Sequence, residues 1–248
     1  MNPQEPQFYL SGIDEERFGI RTARASGVTQ ASLPSLLNFC RVNEVVLLIA
    51  RCPTSDLEAA QAMEQEGFLL MDTLVYYARD LQKKPVPDET GRVPVRPLRP
   101  GEEKVVGHIA AESFKGYLGH YHVDRRLDRA KCDETYISWA VRCCLHREVA
   151  HQVVLAEQGG EALGFAALRL NQPEEGEAFL IGVLPPAQGQ GIYRSFILYG
   201  MKWCLSFGAK RMVESTQVTN LAVQKVWIRL GFEPSHSYYT FHKWFDES

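Results

Sequence analysis

One stretch limits the architecture more than any other. It runs from Phe179 through an apolar segment to Pro185 and Pro186, then Gln188-Gly189-Gln190-Gly191, then Ile192. The apolar run reads as a buried strand, and two consecutive prolines end it. Ile192, Phe196, Tyr199, Trp203 and Phe207 then recur at helical spacing, which predicts a helix over 192–207. A glycine-rich strand-to-helix turn leaves backbone N–H groups without partners at the positive end of a helix, which makes it a cradle for an anion. A pyrophosphate is the usual guest of so many convergent donors. Taken alone, the segment reads better as a plain loop with helix-stop glycines.

Charge balance decides how an anion could be held. With 27 basic and 30 acidic residues the net charge is −3 and the pI about 6.2, so no global field attracts nucleic acid or an anionic membrane. Any anion must be caught locally. No apolar run approaches the roughly 18–20 residues of a membrane helix, and residues 1–6 lack the basic and apolar regions of a signal peptide, so a cytoplasmic protein is expected. The six cysteines form no C-x-x-C pair and none stands beside a histidine at zinc spacing; buried reduced thiols and no metal are expected. Hydrolase and nucleotide-loop signatures (G-x-S-x-G, H-E-x-x-H, G-x-x-x-x-G-K-[ST]) are absent.

Composition breaks at residues 83–101, where Pro85, Pro87, Pro94, Pro97 and Pro100 stand among charged residues. An interdomain linker is expected at 82–92, with a strand at 93–96 opening the second part of the chain. Before it, 45–50 reads as a strand, 55–66 as a helix with Leu57, Ala60 and Met63 on one side, and 68–78 as a strand pair. The order recurs near the C-terminus: a strand at 212–216, a helix at 220–230 facing inward through Ala222, Val226 and Leu230, and a strand at 238–245. Both helices end in Gly-Phe (Gly67-Phe68, Gly231-Phe232), and Asp56 and Asn220 each lie eleven residues before that glycine. The chain thus reads as an imperfect duplication of one strand–helix–strand unit. Between the copies, helices are expected at 102–114 and 134–145, the latter turning Ile137, Val141 and Cys144 inward. Strands are expected at 153–156, 164–170 and 178–183, giving a mixed α/β order.

Strand, prolines, Gln-x-x-Gly, helix, the Gly208-Ala209 turn, strand and Asn220 before Leu230-Gly231-Phe232 together resemble the GNAT superfamily of N-acetyltransferases over about residues 93–245. The resemblance implies a GNAT-type mixed sheet flanked by helices (93–248), preceded by a smaller, truncated GNAT-like domain (1–82). It further implies acetyl-CoA as cosubstrate, with Gln188, Gly189, Gln190, Gly191, Ile192, Tyr193 and Arg194 around its phosphates. Val183 would lie by the thioester and Asn220 by the pantetheine arm. Phe18-Gly19, Gly67-Phe68, the segment 117–129 and Tyr136 to Trp139 are similar to dTDP-fucosamine acetyltransferases, which implies a nucleotide-linked amino sugar as acceptor; a homodimer is left open. Two positions depart from the family pattern: Tyr193 is bulky where a small residue is usual, and Trp227 replaces the usual general-acid tyrosine. Indole cannot protonate a thiolate at neutral pH.

Individual residues carry two readings each. Asn220 either contacts the cosubstrate or simply caps its helix. Glu177 stands where a base is found in one branch of the superfamily, or it is a solvated glutamate of the acidic turn at 174–177. His120, Tyr121 and His122, with Asp124, could stack on and hydrogen-bond an acceptor, with Trp227 walling the cleft, or form a packed loop. Tyr239 is the candidate phenol for the departing thiolate, Tyr238 its alternate-face neighbour. The expected reaction is direct attack of an amine in a ternary complex, aided by backbone donors to the oxyanion. Amino acids, antibiotics and protein amines remain open as acceptors, as does a non-catalytic acyl-CoA-binding module.

Overall fold

The structure, a computed structural model, describes residues 6–88 and 91–245. The residues considered for a signal peptide, except position 6, and linker positions 89 and 90 lie outside the described residues. The N-terminal half contains β1 (Gln7–Leu10), α1 (Gly12–Phe18), β2 (Thr22–Ser26), α2 (Leu33–Val42), β3 (Leu47–Pro53), α3 (Leu57–Gln65) and β4 (Leu69–Asp80). The C-terminal half begins with β5 (Val95–Pro97), α4 (Glu103–Ser113), α5 (His120–Val123) and α6 (Arg129–Leu145). It continues with β6 (Gln152–Gln158), β7 (Glu161–Gln172), β8 (Glu175–Val183), α7 (Ile192–Ser206), β9 (Arg211–Gln217), α8 (Leu221–Arg229) and β10 (Glu233–Trp244).

All ten strands join one mixed sheet in the order β1-β2-β3-β10-β4-β9-β8-β7-β6-β5. Only β2–β3 and β8–β9 run parallel, each joined by a crossover helix as parallel pairs require. The two halves exchange their last strands. β10 pairs with β3, β4 pairs with β9, and β4 and β10 pair with each other in the middle. The segment 68–78, expected as a strand pair, is therefore part of one twelve-residue strand. Its alternate residues serve two faces. One face packs beneath α2, α3, α7 and α8, through clusters containing Phe241 and Met63 in one half and Phe196, Trp203 and Trp227 in the other. The opposite face lies beneath α1, α4, α5 and α6.

The duplication is visible in matching helix ends. Asp56 and Asn220 both cap their helices, accepting from the N–H of Ala59 and Val223 at 2.9 and 3.4 Å. Gly67 and Gly231 both take left-handed φ (79° and 82°), and the following phenylalanine N–H closes back on Met63 and Trp227 carbonyls. Helix phase differs from expectation in three places, the first being α3, which leaves Leu57 exposed and buries Ala59 with Ala60 and Met63. α6 buries Cys143 and leaves Cys144 half-exposed, and α8 buries Gln224, Trp227 and Leu230 while Ala222 faces solvent. The linker is held from both halves: Arg79 of β4 donates to the Lys84 and Pro85 carbonyls, and Gly91 packs so tightly on Ser195 of α7 that a Cβ there would clash with its hydroxyl. Burial pushes the thiols of Cys40, Cys143 and Cys204 up to about 12, as inert core cysteines require.

Candidate functional site

β8 and β9 are paired only from Glu175/Arg211 to Glu177/Val213, although β8 runs on to Val183 and β9 to Gln217. Beyond that point the sheet opens between them. Two features hold it open. Phe179 is the extra residue of a bulge against β7, which re-aims β8. The N–H of Ala178, the first left without a strand partner, donates instead to Glu214 Oε1 at 3.1 Å. Burial, with the Glu177 charge nearby, pushes the Glu214 carboxyl well above the usual carboxylate range, so the fold favours its protonated form.

At the far end of β8, Pro185–Ala187 form a short 3-10 turn, and Gly189 and Gly191 both adopt left-handed φ (77° and 85°). Gly191 caps α7 without any side chain, so the first N–H groups of that helix keep no intrahelical acceptor; the first closing bond is Ser195 to the Gly191 carbonyl. Gln188 and Gln190 turn their amides inward, donating to the Val183 and Pro186 carbonyls at 3.2 Å each, which stiffens the turn. Ile192 is buried and anchors the helix, while Tyr193 packs half-buried on the core below. Its phenol is pushed well above its usual pKa by burial and Glu214, so it too stays neutral. The structure adds one cation: Arg92 lies across the loop, its Cδ 3.3 Å from where a Gly191 Cβ would sit. Position 92 reads as linker in sequence, and only the docking of Gly91 on Ser195 brings it here.

The face of the sheet opposite α7 and α8 carries a row of polar side chains from six strands. Glu177 is buried rather than solvated; Arg169 pairs with it at 2.8 Å and Ser215 donates to it at 3.4 Å. Ser215 is the β9 partner of Tyr76 on β4 and hydrogen-bonds it. Tyr76 stacks on His236 (4.4 Å between centroids, 14°) and meets Tyr238 edge-on. Arg51 on β3 interacts electrostatically with Tyr76 and with His120. Tyr76 and Arg51 carry no local motif, and they reach the Glu177 face only because the last strands are exchanged.

Several expected site residues lie elsewhere. His120, Tyr121 and His122 are all buried and committed to protein partners. His120 Nδ1 meets His242 Nε2 at 2.9 Å, and His242 Nδ1 meets Asp124 Oδ2 at 2.7 Å. Tyr121 donates to Asp14 and receives Arg24, while His122 Nδ1 accepts from Gly119 N–H and its Nε2 faces Asp133. The cluster is a latch between the halves, because buried polar groups must find partners. Burial and the His242, Arg24 and Arg51 charges hold His120 well below its usual pKa. Trp227 does not wall a cleft: it is fully buried against Tyr77, at 5.4 Å between rings. Tyr239 packs with Phe241 on the N-terminal core, and it is Tyr238 that shares the Glu177 face. Asn220 caps α8 and also donates to Thr216 Oγ1 at 3.1 Å.

Known proteins share this geometry. Residues 120–232 match the family model of the Acetyltransferase (GNAT) family. The spore coat polysaccharide biosynthesis protein SpsD of Bacillus subtilis (strain 168) is 23% identical over 227 residues, 90% of this chain and 75% of that protein. A mycothiol acetyltransferase of Amycolatopsis mediterranei is 33% identical over 86 residues, 32% of this chain, and the match spans only 29% of that relative. The crystal structure of a GCN5-related N-acetyltransferase from Sphaerobacter thermophilus superimposes with a TM-score of 0.65 at 15% identity, covering 98% of this chain and 78% of that one. No helix among the described residues is long and apolar enough to cross a membrane. The fold is the GNAT fold, and the match of residues 120–232 to the GNAT acetyltransferase family supports acyltransferase activity.

Proposed function

We propose that the chain transfers the acetyl group of acetyl-CoA to the amino group of a nucleotide-linked amino sugar, in a ternary complex. The observation that carries this is the opening between β8 and β9, which runs directly into the glycine-capped start of α7. Residues 93–248 would be the catalytic part, and residues 1–82 a truncated copy that completes its sheet. In this reading the N–H groups from Gly189 to Arg194, with Arg92 and Arg194, hold the pyrophosphate, and the unpaired edge of β8 up to Val183 faces the thioester. The amine attacks the thioester carbonyl, the C–N bond forms as the C–S bond breaks, and Glu177 takes the amine proton. Backbone N–H groups of the opened strand stabilise the oxyanion. An amino group among electron-withdrawing sugar oxygens loses its proton more readily than a lysine, whose reference pKa is about 10.4. The acceptor class draws support from the name of the relative SpsD, a polysaccharide biosynthesis protein.

The test is coenzyme A release from acetyl-CoA with UDP- and dTDP-linked amino sugars, free amino sugars, amino acids and lysine peptides. Turnover fastest with the nucleotide-linked sugars is expected. Preference for peptides or amino acids would replace the acceptor and leave the donor site standing.

A further inference from the structure

Three polar groups lie in one row across adjacent strands of the Glu177 face, and their bonding is incomplete. Arg51 on β3 pairs with Thr240 on β10, which pairs with Asp72 on β4. Among the described residues the Arg51 guanidinium has no carboxylate and no hydrogen-bond acceptor, although it is half-buried. Thr240 is wholly buried and its hydroxyl has no partner. Asp72 receives Gln217 Nε2 on Oδ2 at 3.2 Å, but its Oδ1 is buried and unpartnered. Arg51 and Asp72 cannot satisfy one another: two strand spacings separate their backbones by about 10 Å, with Thr240 between. A buried polar atom left without a partner forfeits its hydration and gains nothing in exchange, so two in one row beside a half-buried guanidinium mark a place built for something else.

The chemistry of that occupant is set by the donors and acceptors. Arg51 and the Thr240 hydroxyl donate, which calls for an oxyanion; Asp72 Oδ1 accepts, which calls for a hydroxyl or ammonium hydrogen. Tyr76, stacked on His236 and edged by Tyr238, supplies aromatic surface between this row and Glu177. We propose that Arg51, Thr240 and Asp72 form an acceptor subsite that binds an amine substrate through an oxyanion it carries, so that the N-terminal half selects charged acceptors over uncharged amino sugars. This rests on the acetyl-transfer reading for its reaction, but the binding step can be measured separately.

The protein is first saturated with coenzyme A to fill the loop at α7, then titrated with inorganic phosphate by calorimetry, for the parent and for Arg51→Gln. Phosphate binding weakened about tenfold or more by the substitution is expected, with coenzyme A affinity and melting temperature unchanged. Steady-state kinetics then compare glucosamine, glucosamine 1-phosphate and glutamate as acceptors. Arg51→Gln should raise KM for the anionic acceptors about tenfold, leave kcat within about twofold, and leave glucosamine unaffected; whichever anion responds more identifies the oxyanion. Asp72→Asn is a second variant, expected to raise KM for the hydroxylated acceptors without touching coenzyme A affinity. Equal phosphate binding by parent and Arg51→Gln, or none by the parent, overturns the subsite. Phosphate binding that depends on Arg51 without acetylation of any amine supports the subsite and removes the proposed function. Turnover of charged and uncharged amines alike in both proteins does the reverse.

Discussion

The two halves repeat β–α–β–α–β, yet their first crossover turns do opposite things with backbone N–H groups. In the N-terminal copy β2 and β3 stay paired from Thr22/Leu47 to Ala25/Ala50, and Val28 N–H extends the contact to the Arg51 carbonyl. Thr29 and Ser32 then bond to one another through backbone and hydroxyl, and Pro34 removes a donor near the start of α2. In the C-terminal copy pairing stops at Glu177, a side chain takes the next N–H, and two left-handed glycines hand the chain to α7 with its donors open. One topology thus gives a closed turn or an anion cradle, depending on a few residues. The closed copy contributes differently, by placing Arg51, Asp72 and Tyr76 beside Glu177 through the exchanged strands.

The sharpest way to break this contrast is to put a carboxylate into each turn. Gly191→Asp should weaken acetyl-CoA binding about 100-fold or more, through like charge at the phosphates and a side chain at φ +85°. Gln30→Asp, at the exposed equivalent turn of the N-terminal copy, should leave it unchanged. Calorimetry on both folded variants decides, and equal affinities would dissolve the distinction between the copies. Next in size is Glu177→Gln, expected to lower kcat about 100-fold while acetyl-CoA affinity holds. Wild-type turnover in that variant would remove the base from this face.

Legibility in the sequence depends on how local each feature is. The α7 loop, β8, both capped helices and their Gly-Phe stops are written in runs of ten to fifteen residues, and each forms where expected. The phase of α8 differs from the expected one because Ala222, Val226 and Leu230 make as good an apolar stripe as the one used. The buried stripe includes the polar Gln224, whose amide reaches the Val218 carbonyl at 2.9 Å and whose Oε1 receives the Tyr77 hydroxyl at 3.2 Å. That rotation is why Trp227 is core. The roles of His120 and Tyr121 are not legible at all, because their partners His242, Asp14 and Arg24 stand 97 to 122 positions away. Nor does any local signal say that β10 will lie between β3 and β4.

A smaller effect sharpens the comparison at the point where the C-terminal strands part. Burial, and then the Glu177 charge, hold the Glu214 carboxyl well above its usual range, so the folded state keeps this proton to higher pH than the unfolded chain, whose ordinary glutamate releases it above about pH 4.5. The folded state therefore binds more protons, and stability falls as pH rises from there. Glu214→Gln keeps an acceptor for Ala178 N–H and removes the cost. The variant should be more stable than the parent at pH 8 by about 1 kcal/mol or more, and the gap should shrink toward pH 4.5. Urea unfolding at both pH values measures it, and a constant gap would mean that Glu214 is charged in the fold.

The smallest expected effect has the opposite sign and tests the latch. Asp124 Oδ2 meets His242 Nδ1, and His242 Nε2 meets His120 Nδ1. His120 resists a second proton because of its burial and then the His242, Arg24 and Arg51 charges, while the unfolded chain takes that proton near pH 6.5. Stability should then fall as pH drops below 6.5, by up to about 1.4 kcal/mol per pH unit for one proton. Asp14 and Asp124, both held below 3.8, contribute only further into acid, so between 4.5 and 6.5 the lowered histidines, His120 and the less buried His236, act against Glu214, and the His120 share is read from the difference between parent and variant. His120→Gln can still donate to His242 Nε2 and has nothing to titrate. Its unfolding free energy should change less than the parent's between pH 7 and 5, whereas Glu214→Gln should show a steeper acid loss than the parent over the same range. Parallel profiles for parent and His120→Gln would mean that the folded latch admits a proton at His120 as readily as the unfolded chain does.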